Sequence, residues 1–162
     1  MIRDATTRDF PAILALNAGS VHFLSPLDEG GLHHLHAQAA CHRVIEIDGA
    51  VAAFLLVLRE GADYTSPNYR WFAQRHARFL YIDRIVVDAH QHGRGLAVRL
   101  YDDLLEFAKA SGIAQLTCEF DLDPPNPASA QFHARYGFRE VGRQWLGGGK
   151  KQVSLQTREV TT

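Results

Sequence analysis

Cysteine is scarce in this chain: Cys41 and Cys118 are the only two in 162 residues. They match no metal-ligand spacing and no disulfide framework, so a zinc ribbon and a stapled secreted scaffold are excluded and two buried thiols in a reducing compartment are expected. An excess of one charge is lacking too. Seventeen Lys and Arg stand against 18 Asp and Glu, which leaves no field to draw nucleic acid or an anionic membrane. No long hydrophobic run occurs; the longest, 50–58, falls well short of the roughly 17 residues a membrane helix needs. The opening MIRDATTRDF carries charges where a signal peptide would be apolar, so a cytoplasmic location is expected. What is present is 46% hydrophobic composition, enough for one core, with no repeat or linker. A single domain over 1–162 is expected.

Hydrophobic period and turn residues give the order of elements. Residues 2–6 read as a strand, and Thr7 opens a helix with Phe10, Ile13, Leu14 and Leu16 on its apolar face. Leu32, Leu35 and Ala39 predict a second helix over about 29–42. Segments 43–47 and 50–58 flank Asp48-Gly49, a hairpin signal, because a type I′ turn takes positive φ at both central residues. The aromatic, turn-rich stretch 61–78, with room for a short helix, is a candidate substrate lid. Strand 79–87 leads through a glycine turn into a helix to about Ala110, with Leu96, Leu100, Leu104 and Phe107 as its stripe and Ser111-Gly112 as its close. A strand over 113–120, a turn over 121–127, a helix over 128–136 and strands over 138–146 and 151–156 complete the chain. A hairpin in the middle of this order rules out a simple doubly wound sheet. The expected class is α/β (α+β): a mixed, mostly antiparallel twisted sheet of about six to seven strands flanked by about four helices.

The segment His92-Gly93-Arg94-Gly95-Leu96-Ala97 lies between a strand and a helix. Small residues there let backbone amides converge on an anion at the positive end of a helix dipole. A P-loop would need Gly-Lys followed by Ser or Thr, and a dinucleotide fingerprint would need a third glycine and a later acid; neither pattern is complete. The segment resembles instead the coenzyme-A motif of the GNAT superfamily, Arg/Gln-x-x-Gly-x-Gly/Ala after an apolar strand, with His92, Gly95 and Ala97 on its defined positions. Downstream, Asn126-Pro-Ala-Ser-Ala-Gln-Phe-His-Ala-Arg-Tyr-Gly-Phe resembles that family's Asn-x-x-Ala-x-x-Leu/Phe-Tyr-x-x-x-Gly-Phe segment. Two motifs in order, spanning about 79–140, carry the resemblance.

The resemblance implies a single GNAT-like domain with a V-shaped cofactor cleft between the two central strands, and acetyl-coenzyme A as cosubstrate without a metal. It implies that amides of Gly93, Arg94, Gly95, Leu96, Ala97 and Val98 hold the pyrophosphate and that the backbone of Ile85, Val86 and Val87 pairs with the pantetheine arm. Asn126 would hydrogen-bond the pantetheine, with Ser129 and Phe132 packing against it. His92 stands where the family usually has Arg or Gln, and Arg94 is placed to supply charge. His133 stands where the family commonly has the tyrosine that protonates the departing thiolate. An imidazolium can do that work; Tyr136, Tyr81 or solvent are the alternatives. Asp83 or Glu119 would accept the proton of the attacking amine, unless Asp83 pairs with a neighbouring arginine and Glu119 faces solvent. A backbone amide of Val86 or Val87, freed by a bulge, would serve the thioester oxygen.

Other residues invite weaker readings. Nine histidines, with His33, His34 and His36 crowded on one predicted helix, include no His-Glu-x-x-His zinc pattern, and no metal is expected. Ser20 and Ser25 sit in no nucleophile elbow. Asp28, Glu29 and Asp63 would either attract a cationic amine or serve as ordinary surface acids. The expected function is N-acyl transfer from acetyl-CoA to a small amine, an amino acid or a peptide N-terminus, in a chain that is monomeric or, as is common in the resembling family, a homodimer. A catalytically weak or inactive CoA-binding regulatory module is the alternative from another class, and a different nucleotide-binding enzyme the third.

Overall fold

The structure, a computed structural model, describes residues 1–21 and 23–161. His22, beside Ser20, lies outside the described residues. The order is β1 (Ile2–Asp4), α1 (Phe10–Ala18), α2 (Glu29–Gln38), β2 (Cys41–Ile47), β3 (Ala50–Arg59), α3 (Pro67–Ala73), β4 (Leu80–Val87), α4 (Leu96–Ser111), β5 (Gln115–Asp123), α5 (Pro127–Arg135), β6 (Arg139–Leu146) and β7 (Lys151–Glu159). One seven-stranded mixed sheet runs β1-β2-β3-β4-β5-β7-β6. The pairs β1–β2, β2–β3, β5–β7 and β6–β7 are antiparallel and β4–β5 is parallel.

The chain packs as two compact units. Met1–Leu58 with Ile82–Phe107 form the first. Its hairpin β2–β3 turns at Asp48 and Gly49, whose φ angles of 52° and 78° are those a type I′ turn requires. Strand β3 reads as a continuous apolar run because Ala52 to Leu58 are all buried. Ile13 of α1 and Leu32 and Leu35 of α2 close over this core, each such side chain stabilising by about 1.5–3 kcal/mol. Helix α2 stops at Gln38, short of the expected end near His42. Ala39 turns extended (ψ 135°), and Cys41 and His42 join β2 opposite Val57 and Leu56. The strand pairing overrides the helical period that Leu32, Leu35 and Ala39 suggest.

Arg59–Tyr81 with Ala108–Thr162 form the second unit. Phe72, Phe79, Leu80, Tyr81, Leu116, Val153 and Leu155 are its buried centre. The stretch 61–78 holds the short helix for which the sequence left room, and it is one of five among the described residues. Ser66 caps α3 by accepting from the Tyr69 amide, and Pro67 occupies the first turn, where its missing N–H costs nothing. Tyr69 and Phe72 are 3% and 0% exposed, and the Tyr69 hydroxyl donates to the Arg59 carbonyl at 2.7 Å. The aromatics of this stretch therefore anchor it to its own unit, where a lid would leave them loose. Strand β5 runs on to Asp123 and β7 to Glu159, beyond their expected ends, because Gln115 pairs with Glu159 and, past a register shift after Asp121, Asp123 still pairs with Gln152.

Candidate functional site

In the first unit, β4 ends at Val87 and the chain turns through 88–95 into α4. Asp88 caps this turn, its carboxylate accepting from the His90 amide at 2.9 Å. Gly93 and Gly95 have φ of 81° and 72°, left-handed values that side chains rarely adopt, and open space lies where a Cβ would stand. The Arg99 amide donates to the Gly95 carbonyl at 3.1 Å, the first bond of α4. The amides of Leu96, Ala97 and Val98 precede it, so they belong to the set of helix N-terminal donors without an intrahelical acceptor. Sixteen residues of α4 align behind them. Leu96 and Leu100 are buried and fix the helix, while Gly93, Arg94, Gly95 and Val98 are exposed. This is the geometry of an anion cradle built from main chain, and it fits a pyrophosphate.

His92 is exposed, and its Nε2–H donates to the Val87 carbonyl at 3.1 Å. The imidazole so ties the turn to the end of β4, and Arg94 is the cation nearest the two glycines in sequence. Along β4, Ile85 and Val87 are half-buried while Val86 is 4% exposed.

Asp83 lies deeper on the same strand. Its Oδ2 accepts from Arg84 Nε at 2.7 Å, and both side chains are 4% exposed. Arg84 Nη1 donates to Asn17 Oδ1 at 2.9 Å and to the Ser25 carbonyl at 3.2 Å, and Nη2 to Ser25 Oγ at 3.2 Å. The two charges thus brace the segment between α1 and α2. Asn17, 1% exposed, adds its own bond to the Ser25 carbonyl at 3.2 Å. The pairing of Asp83 with a neighbouring arginine is the alternative the sequence offered; the link from Arg84 to Asn17, 67 positions away, has no pattern in sequence to join it.

In the second unit, Glu119 is half-buried on β5 and its Oε1 accepts a hydrogen bond from the Tyr81 hydroxyl, itself 1% exposed. Asn126 caps α5, accepting from the Ser129 amide at 3.3 Å. His133, one turn on, is 5% exposed among the rings of Phe120, Phe132 and Phe138, at 5.9, 5.2 and 5.1 Å. Its Nδ1 lies 2.8 Å from the Ser129 carbonyl and 3.2 Å from Ser129 Oγ. A carbonyl only accepts, so Nδ1 carries the proton and Nε2 the lone pair. Burial lowers the His133 pKa, an effect the Ser129 bond only partly offsets. The ring is therefore neutral at pH 7. The ring of Tyr136 has the Arg158 guanidinium 5.3 Å from its centroid, and its carbonyl accepts from Arg158 Nε at 2.8 Å.

Asp28 caps α2 through a 2.7 Å bond from the Gly31 amide. His33 pairs with Glu29 at 3.7 Å on the surface of that helix. No group of three His, Cys, Asp or Glu side chains that could hold a metal ion occurs among the described residues. No described helix is long and apolar enough to cross a membrane.

Comparison with known proteins bears on both motifs at once. Ard1 from Thermoplasma volcanium superposes with a TM-score of 0.82 at 16% identity, over 100% of this chain and 98% of that one. The ribosomal-protein-S18-alanine N-acetyltransferase from Escherichia coli gives 0.76 at 17% identity, over 100% and 94%. The N-acetylglutamate synthase from Neisseria gonorrhoeae, complexed with coenzyme A and N-acetyl-glutamate, gives 0.74 at 17%, over 100% of this chain and 35% of its own. At such identities these likenesses establish the fold. No curated protein sequence matches the chain. The sequence profile of the Acetyltransferase (GNAT) family matches residues 2–138, from β1 through the glycine turn to the end of the second motif. With most of its length inside that profile and its fold shared from end to end, the chain belongs to the GNAT acetyltransferase family.

Proposed function

We propose that this protein is an acetyl-CoA-dependent N-acetyltransferase, a single domain over 1–162 that moves an acetyl group to a primary amine by direct attack. The acceptor is a small amine, an amino acid or a peptide N-terminus. The observation that carries the reading is the turn at Gly93 and Gly95, with both φ angles positive and open space where either Cβ would stand. Its amides, from Gly93 to Val98, hold the pyrophosphate, and Arg94 adds charge. The backbone of Ile85, Val86 and Val87 is the proposed strand partner of the pantetheine arm, and Asn126, Ser129 and Phe132 are the pantetheine residues that the second motif supplies.

Acetyl-CoA supplies the acyl group as an activated thioester. Glu119 takes the proton of the attacking amine nitrogen, and a backbone amide of Val86 or Val87 donates to the thioester oxygen as charge develops. Asp83 is the weaker candidate base, since its carboxylate is already bound to a buried guanidinium. His133 serves the leaving thiolate through Nε2, which takes up a proton from solvent and passes it to the sulfur, so that the ring returns to its neutral state with Nδ1–H still on the Ser129 carbonyl. The two buried thiols support a reducing, cytoplasmic setting.

The neutral state of His133 favours one second reading, a CoA-binding regulatory module with weak or no turnover. Calorimetric titration with acetyl-CoA, beside free CoA, ATP and NAD, tests the shared part of both. Selective CoA binding, abolished in Gly95→Glu, is expected, and absence of CoA binding sinks both. Transfer to any amine in a subsequent screen excludes the regulatory module.

A further inference from the structure

Glu119 has three rotatable side-chain bonds, and a base must present one oxygen at one place. On a strand, alternate residues share a face. Tyr81 of β4 lies opposite Thr117 of β5, so Glu119 is the next residue along on the face that Tyr81 shares. The Thr117 hydroxyl donates to the Leu80 carbonyl at 2.9 Å, which fixes the two strands at this point.

Tyr81 is itself held. The rings of Tyr64, Tyr69 and Phe72 stand 6.5, 5.5 and 6.1 Å from its centroid. Tyr69 is pinned in turn, donating to the Arg59 carbonyl at 2.7 Å and accepting from the Ala62 amide at 3.1 Å. The phenol of Tyr81 therefore reaches Glu119 from a fixed position, and its bond goes to the charged form of the carboxyl.

We propose that Tyr81 is a positioning residue for Glu119: its hydroxyl holds Oε1 and fixes the rotamer in which the carboxylate accepts the amine proton. The proposal rests on Glu119 being the base. Among the described residues, the titratable groups around this pair include Asp121 on the same face of β5, with Lys151 of β7 at 3.0 Å from its Oδ1, the Cys118 thiol on the opposite face, and the Tyr69 phenol of α3, whose ring meets that of Tyr81. Removing the Tyr81 hydroxyl leaves all of these in place.

The test follows the Glu119 carboxyl by carbon NMR, assigned by its loss in Glu119→Gln, beside the pH profile of kcat/KM. In Tyr81→Phe the carboxyl titrates about one pH unit higher, since a donor to the charged form is gone, and the acid limb of the profile moves with it. A carboxyl titration and an acid limb that both stay at their wild-type positions overturn the proposal. Site-specific 3-fluorotyrosine at position 81 keeps the ring and serves if the phenylalanine variant fails to fold. Its more acidic hydroxyl should move the titration downward, and no movement overturns the proposal equally. Full activity in Glu119→Gln removes the base on which the proposal rests, whereas an unmoved carboxyl with an inactive Glu119→Gln removes Tyr81 alone.

Discussion

Arg84 Nε and Asp83 Oδ2 lie 2.7 Å apart between consecutive residues of one strand, both out of water. Breaking such a pair strands the remaining charge and costs about 3–5 kcal/mol. Asp83→Asn and Arg84→Met should each lower unfolding free energy by that order in urea titrations. The double variant should lose less than the sum, since neither charge is left behind. If Asp83→Asn unfolds like wild type yet abolishes transfer, Asp83 is the base and the brace is incidental.

His36 and His42 meet Nδ1 to Nδ1 at 2.8 Å, and His42 is 6% exposed. Burial, and then the neighbouring imidazole, hold the His42 pKa down at about 4 against 6.5 in water. Above pH 6.5 the ring is neutral folded or unfolded, and its contribution is whole. As pH falls toward 4 the unfolded chain takes up a proton that the folded chain refuses, so stability drops by about 3 kcal/mol. Melting temperatures should fall across that window, and the fall should flatten in His42→Leu. Asp9, held down at about 2 by Arg3 and then by the Thr6 amide, loses its share only at more acid pH, between 3.8 and 2.

Gly142 sits under the Trp71 ring, and a Cβ there would stand 2.5 Å from Cζ2. The ring has little room to yield, because the Arg75 guanidinium covers it at 3.7 Å and Phe72 abuts it at 5.1 Å. Gly142→Ala should cost about 1–3 kcal/mol by chemical denaturation. The same change made in Trp71→Leu should be close to neutral.

His133→Phe should lower kcat about a hundredfold while acetyl-CoA binding, measured by calorimetry, is kept. An unchanged rate and pH profile would assign the proton to another donor.

Local chemistry announces some of these features and not others. Asp48-Gly49 and Gly93-Arg94-Gly95 are visible in sequence because a positive φ selects its residues directly. The Ser66-Pro67 start of α3 was equally local, yet the aromatics around it suggest a loop, since the partners that bury Tyr69 and Phe72 are not its neighbours. The bond from Tyr81 to Glu119 depends on a parallel register between residues 38 apart, and Arg84 finds Ser25 across 59. No window of sequence holds either pair. The end of α2 fails for a related reason: His42 has helical spacing from Leu35 and Ala39, but the edge of β3 claims it.

Both sulfhydryls of this chain lie inside it, Cys41 7% and Cys118 2% exposed, with burial raising the first to about 11 and the second well above its ordinary value. At neutral pH neither ionises, so the native protein is silent toward a colorimetric disulfide reagent. Free coenzyme A released during turnover can then be counted directly against a blank background, and a signal of two equivalents without substrate would report denatured enzyme in the sample.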